Sequence, residues 1–171
     1  MAIILNKEKA IEMECGNNYL DVRVKRLGGA HEAVKNYTII AAGLGFIPVP
    51  LVDISALTAI KLKLLHRLAR DYGVPFYKNL ASSLISTLLS SSVAISMVLP
   101  LASLLKSIPV VGQTAGVIST AIIGAASTYA VGKLFVGHFE SGGTFLTFDA
   151  KKSRNHFEEL YEEGKAFVSS Q

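Results

Sequence analysis

Two residues of this chain combine a reactive type with a telling position: Asp53 and Lys61. Asp53 follows the turn Pro48-Val49-Pro50 and stands between apolar segments. As a helix cap it would accept a bond from a free first-turn amide and meet the positive helix end. As a functional acid it would lie near a bilayer boundary. Lys61 comes about two turns later on the same helix, on its apolar face. Ionisable residues at such depth usually serve a function, although a long lysine stem can also snorkel its charge outward. With neighbouring serines, the pair would line a polar path.

Beyond this pair, the chemical inventory is sparse. No G-x-x-x-x-G-K-[ST] loop is present, so P-loop nucleotide binding is excluded. His31, His66, His138 and His156 lack H-x-x-x-H or His/Cys ligand spacing. His138 and Glu140 sit two apart and point to different helix faces. Cys15, beside Glu12, Met13 and Glu14, is a lone thiolate where a soft metal needs several ligands. No G-x-S-x-G elbow frames a serine. Gly28-Gly29 and Gly142-Gly143 read as breakers at helix ends. We therefore expect no catalytic residue, no metal and no cofactor, and the chain does not read as an enzyme.

The elements that would position Asp53 and Lys61 are helical. A lead-in of residues 1–29 alternates Leu20, Val22 and Val24 with charges, which suggests a β-hairpin turning at Gly16-Asn17-Asn18; a frayed amphipathic helix is the alternative. A single helical domain then occupies 30–171. Its first helix spans about Ala30 to Phe46 and stops at Ile47-Pro48-Val49-Pro50. The second opens at Asp53 and ends near Tyr72, before Gly73. Ile54, Leu57, Leu64, Leu65, Leu68 and Tyr72 share one face; Lys63, His66, Arg67 and Arg70 lie opposite. Lys63, Arg67 and Arg70 would face lipid headgroups or solvent. A third helix runs from about Phe76 to Leu99, a fourth from about Gln113 to Glu140, and an amphipathic last one covers about 149–168.

Half of the 171 residues are hydrophobic and only 18% are charged, against about a quarter in an ordinary soluble domain. Mean hydropathy is +0.42. No charge occurs from Asn79 to Leu105, nor from Ser107 to Gly132, with Lys106 between the two runs. A bilayer core needs roughly 20 helical residues, so both runs are long enough, and we expect a transmembrane hairpin over about 79–136. Gly116, Thr120, Gly124, Thr128 and Gly132 recur every fourth residue, as do Ser82, Ser86, Ser90 and Ala94. Such small-residue ridges let helices approach closely in lipid, so these positions are the expected assembly surfaces. The fold class is thus all-α: a helical bundle with a hydrophobic hairpin flanked by amphipathic helices.

The net charge of +4 comes without the interleaved aromatics of a nucleic-acid binder, and an anionic lipid surface accounts for it. One cysteine precludes an internal disulfide. No signal peptide is read at MAIILNKEKA. Only Lys106 would sit across the membrane, so the basic residues before and after the hairpin place both termini in the cytoplasm.

The stretches PVPLVD, ISALTAIKLKLL and RLARDYG, followed by KSIPVVG, STYAVGKLF and HFESGG, form an ordered set. It resembles the domain of unknown function 697 family at Pro48, Pro50, Asp53, Tyr72, Gly73, Pro109, Gly112, Thr128, Tyr129 and Gly132. The resemblance covers roughly residues 30 to 168. It implies a bacterial inner-membrane, membrane-associated helical module linked to Era-like GTPase partners, with no established catalysis. Lys61 departs from the family's glutamine, and the chain has no GTPase domain of its own. The expected function is a non-catalytic, self-assembling scaffold or membrane-shaping module, or an adaptor for a GTPase. A small pore and a soluble helical oligomer are the alternatives.

Overall fold

The computed structural model describes the backbone of residues 2–44, 50–91 and 112–170, and the side chains of 18–44, 55–90 and 121–170. Among these residues there are five helices and no strand: α1 (Ala2–Leu44), α2 (Pro50–Asp71), α3 (Lys78–Ser91), α4 (Gly112–Glu140) and α5 (Arg154–Ser169). The all-α class is as read from the sequence. The lead-in is different. Residues 2–29 are the first part of one continuous helix, not a β-hairpin. Leu20, Val22 and Val24 are exposed on it, so their alternation marks no buried strand face.

Proline and glycine set the boundaries of α2. Proline suits a first helical turn, where its missing N–H would have no partner, and the helix begins at Pro50, three residues before Asp53. Asp53 is therefore inside the first turn and does not open the helix; its side chain lies outside the described residues. At the other end Gly73 takes φ +67. Val74 N–H bonds to Ala69 O at 2.7 Å and Gly73 N–H to Arg70 O at 3.2 Å, the paired bonds of a Schellman stop. The end of α4 repeats this device. Gly142 has φ +79, and Gly143 N–H bonds to His138 O while Gly142 N–H bonds to Phe139 O, both at 2.9 Å.

Helix α4 forms the centre, with α1, α2 and α5 packed around it. From Ile123 to Gly132 every described residue is buried. A helix that is apolar all round must be covered all round, and over this stretch other helices of the same chain provide cover. The spanning hairpin expected over about 79–136 falls partly outside the described residues. Among the described residues no helix is long and apolar enough to cross a membrane. The third helix is described only from Lys78 to Ser91; the expected remainder to Leu99 and the turn at Lys106 lie outside the described residues.

At Gly124 and Gly132 the close neighbours of α4 come from α2 and α1. A β-carbon at Gly124 would meet Leu57 of α2 at 2.9 Å, and one at Gly132 would meet Val34 of α1 at 2.7 Å and Leu64 of α2 at 2.9 Å. Ser86 and Ser90 of α3 are exposed and Ser82 is half-buried, while α3 packs mainly against α2. Gly116 and Thr120 lie on the α4 backbone with side chains outside the described residues. A close approach not anticipated from the sequence occurs on α5. A β-carbon at Gly164 would stand 2.9 Å from Ala126 O and 3.1 Å from its Cα.

The C-terminal end of α4 has an aromatic core. Phe135 stacks on Phe148 at 4.4 Å and lies 5.5 Å from Phe145; Phe76, Tyr72 and Phe139 complete the group. The loop after α4 is clasped by His138, whose Nε2 lies 2.9 Å from Thr144 O. A β-carbon at Gly143 would run into that imidazole, which would have to move and give up its place in the clasp.

Candidate functional site: a basic groove beside a buried lysine

Lys61 is 2% exposed. Its position follows from register. Leu57 reaches Gly124 and Leu64 reaches Gly132, so α2 and α4 run parallel and Lys61 falls at the level of Thr128. On α1, Val34 reaches Gly132 and Ala41 clusters with Ala125, which brings Thr38 to the same level. With Ser127, these are the buried polar side chains among the described residues. Thr38 donates to Val34 O at 2.8 Å, Thr128 to Gly124 O at 2.8 Å and Ser127 to Gly124 O at 3.0 Å, each within its own helix. Burial alone pushes the Lys61 ammonium down to about 8, and no carboxylate contributes. This enclosure differs from snorkelling: the amine is held inside.

A second polar group ties the middle of α1 to the C-terminal ends of α2 and α4. Arg23 of α1 donates to Glu140 Oε2 at 2.8 Å, and Arg26 Nε lies 3.7 Å from Oε1. The Arg26 guanidinium also covers the Tyr72 ring at 4.8 Å. The bond from Arg23 holds the Glu140 carboxyl below its ordinary range. Burial, then the Glu140 carboxylate, pushes the Tyr72 phenol well above its own. On the α4–α5 contact, Tyr129 donates to Glu163 at 2.6 Å, beneath Phe167 stacked at 5.4 Å. These groups clamp helices; none presents an accessible nucleophile next to a base.

The histidines remain apart. His66 meets Phe76 edge-on at 4.8 Å, His156 pairs with Glu159 at 3.3 Å, and His138 serves the loop. Burial, then Lys133, lowers the His31 imidazole. Among the described residues no cluster of three metal-ligating side chains occurs. Cys15 and its acidic neighbours are on the α1 backbone, their side chains outside the described residues.

On the outer side of α2 lies a groove of about 770 Å³. Tyr37, Ala59, Leu62 and Phe76 give it apolar walls, while Lys63, Arg67, Arg70 and Lys78 supply basic charge. Asp71 lies 3.7 Å from both Arg67 and Arg70 and offsets only part of that charge. Phe76 and Lys78 also line an adjoining cleft with Tyr77 and Leu146, which are 50% and 74% exposed. The sequence indicated Lys63, Arg67 and Arg70. It also counted Lys78, at the start of α3, among the basic residues before the hairpin; it gave no sign of Tyr77 or Leu146, because they come from two different connections brought together only by folding.

The ordered motifs now have structural places: the α2 start, its Gly73 stop, and the His138–Gly143 clasp. Residues 15–166 match the family described as Domain of unknown function (DUF697). The chain belongs to this family. Among similar proteins is Magnetosome membrane protein 22 of Magnetospirillum gryphiswaldense, 37% identical over 141 residues, covering 82% of this chain and 72% of that protein. No solved structure matches. For this member of the family, the DUF697 region takes in all of α2 to α4, both Schellman stops and the basic groove.

Proposed function

We propose that this protein is a non-catalytic helical scaffold that docks on an anionic bilayer through the outer face of α2 and the adjoining loops. The observation that carries this reading is a single surface combining basic and projecting apolar side chains. Lys63, Arg67, Arg70 and Lys78 stand beside Tyr77 and Leu146. Basic residues near an anionic leaflet are each worth about 1 kcal/mol, and an exposed tyrosine and leucine suit the headgroup boundary. The membrane-protein relative supports the same setting. The uncharged run through residues 92–105, outside the described residues, is a further candidate for insertion on sequence grounds.

Self-association is the second part of the proposal. Tyr19, Leu20, Val22 and Val24 are exposed on α1, ahead of its packed portion, and a cluster of exposed apolar residues marks an association surface. A GTPase partner enters only through the family resemblance. The test is co-sedimentation with phosphatidylglycerol and with phosphatidylcholine vesicles, alongside light scattering. Salt-sensitive binding to the first, reduced in Leu146→Glu, and a smaller assembly in Leu20→Lys are expected. Equal binding to both vesicle types would overturn the docking surface, and an unchanged size in Leu20→Lys would overturn the α1 contact.

A further inference from the structure

We propose that the groove on α2 is a lipid-binding site that takes one acyl chain of an anionic phospholipid, with its phosphate held on the basic rim. The inference rests on the docking reading and adds a stoichiometric pocket to it. Flat electrostatic adsorption requires only exposed cations. This surface has in addition a concavity of about 770 Å³, within the roughly 300–1,000 Å³ range of small-molecule sites.

The two parts of the groove call for different chemistry. The apolar part is formed by Tyr37 from α1, Ala59 and Leu62 from α2, and Phe76 from the connection to α3. Phe76 is fixed there, edge-on to His66 at 4.8 Å and to Phe145 at 5.7 Å, so the wall is preformed. The charged part consists of Lys63, Arg67, Arg70 and Lys78. Arginine offers forked donors suited to phosphate oxygens, and lysine adds compact charge. Free phosphate would use the rim and leave the apolar walls in water. A zwitterionic lipid would use the walls but bring its own ammonium against the basic rim. An anionic phospholipid uses both, which is the charge and shape complementarity that selects it.

The experiment uses the full chain and titration calorimetry with monomeric dihexanoyl phosphatidylglycerol, dihexanoyl phosphatidylcholine or inorganic phosphate. Saturable binding of one phosphatidylglycerol is expected, at least about tenfold tighter than either other probe. Against phosphate that factor corresponds to roughly two buried methylene groups, and against phosphatidylcholine to the headgroup charge met by one or two basic residues at about 1 kcal/mol each. Ala59→Trp fills the groove from an exposed position. It should weaken the monomeric lipid about tenfold while leaving salt-sensitive vesicle adsorption in place. Arg67→Gln with Arg70→Gln should lose the preference over phosphatidylcholine, and Lys25→Gln, on α1, should change neither. Phosphate binding as tightly as the lipid, equal binding of both lipids, no binding, or an unaffected Ala59→Trp would each overturn the inference. Monomer binding without vesicle binding would instead overturn the docking reading and leave the groove as a lipid site.

Discussion

Between Ala121 and Gly132, α4 has alanines, glycines and hydroxyls, and neighbouring helices press close to its backbone. Between Leu134 and Phe139 it has large side chains, and Phe135 and Phe139 fill the space with rings from α2, the α2–α3 connection and the loop after α4. One half excludes water by proximity and the other by volume. The difference teaches that close backbone approach and aromatic filling are two separate ways of covering one helix. Small residues with hydroxyls bonded back to their own helix are the means by which lipid-embedded helices associate, and the enclosed stretch of α4 from Ile123 to Gly132 draws on the same means.

The aromatic half should be the more sensitive to truncation. Phe135→Ala removes a fully buried ring from the stack on Phe148, and chemical denaturation should show a loss of about 3–5 kcal/mol. A loss no greater than at an exposed phenylalanine would show that the two halves do not differ in this way.

In the close-packed half the largest effect is electrostatic and opposite in sign. Lys61 is charged in the unfolded chain up to about 10.4, but in the fold burial brings it down to about 8. Stability from this group is therefore lowest below 8 and rises as pH climbs from about 8 towards 10. Lys61→Met should stabilise the protein at pH 7 by roughly 3 kcal/mol, an order-of-magnitude figure, with the gain shrinking by pH 9.5. Melting curves of both proteins across that range test it; a constant difference would mean that the ammonium is solvated.

Glycine substitutions sharpen the contrast further. Gly164→Ala places a methyl 2.9 Å from Ala126 O, a backbone atom that cannot swing aside, so a destabilisation of about 1–3 kcal/mol is expected. Gly137, on the exposed side of α4, has nothing within 4 Å. Gly137→Ala should stabilise by about 0.5–1 kcal/mol from helix propensity alone. Equal effects in thermal melts would remove proximity as the organising feature.

The smallest effect is expected at the clamp. Arg23 keeps Glu140 ionised below its ordinary range, so the contribution is full above about 4.3 and is lost as pH falls through the lower folded value. Arg23 is partly exposed, and Glu140→Gln should cost no more than about 1 kcal/mol at pH 7. It should flatten the acid-side slope of stability; an unchanged slope would detach the clamp from acid unfolding.

The sequence made certain features legible because one residue type dictates them. Gly73 and Gly142 end helices by adopting a conformation other residues avoid, and the charge pattern of α2 separates its inner and outer faces. What the sequence left open or misread shares a cause. Apolar runs around Gly124 specify burial without specifying what does the burying, and the chain's own helices can serve as well as lipid. The alternation from Leu20 to Val24 has no force when neither face is covered. Gly164 gave no signal, since a glycine among charges on an amphipathic helix reads as neutral until its neighbour's backbone is placed. The groove was half legible: its α2 cations share a helix face, while Phe76, Tyr77 and Leu146 converge only through the loops.

Enclosure of Lys61 also gives the bundle an internal clock. An acylating reagent attacks only a neutral amine that it can reach; most lysines here meet the second condition, and Lys61 meets the first more readily than they do. Its modification must wait for α2 to part from α4, and once exposed the amine reverts to ordinary solvent chemistry. The labelling rate at this one position therefore counts openings of the interior. Mass spectrometry of a labelled peptide can follow that count with the protein in solution, on vesicles or in an assembly.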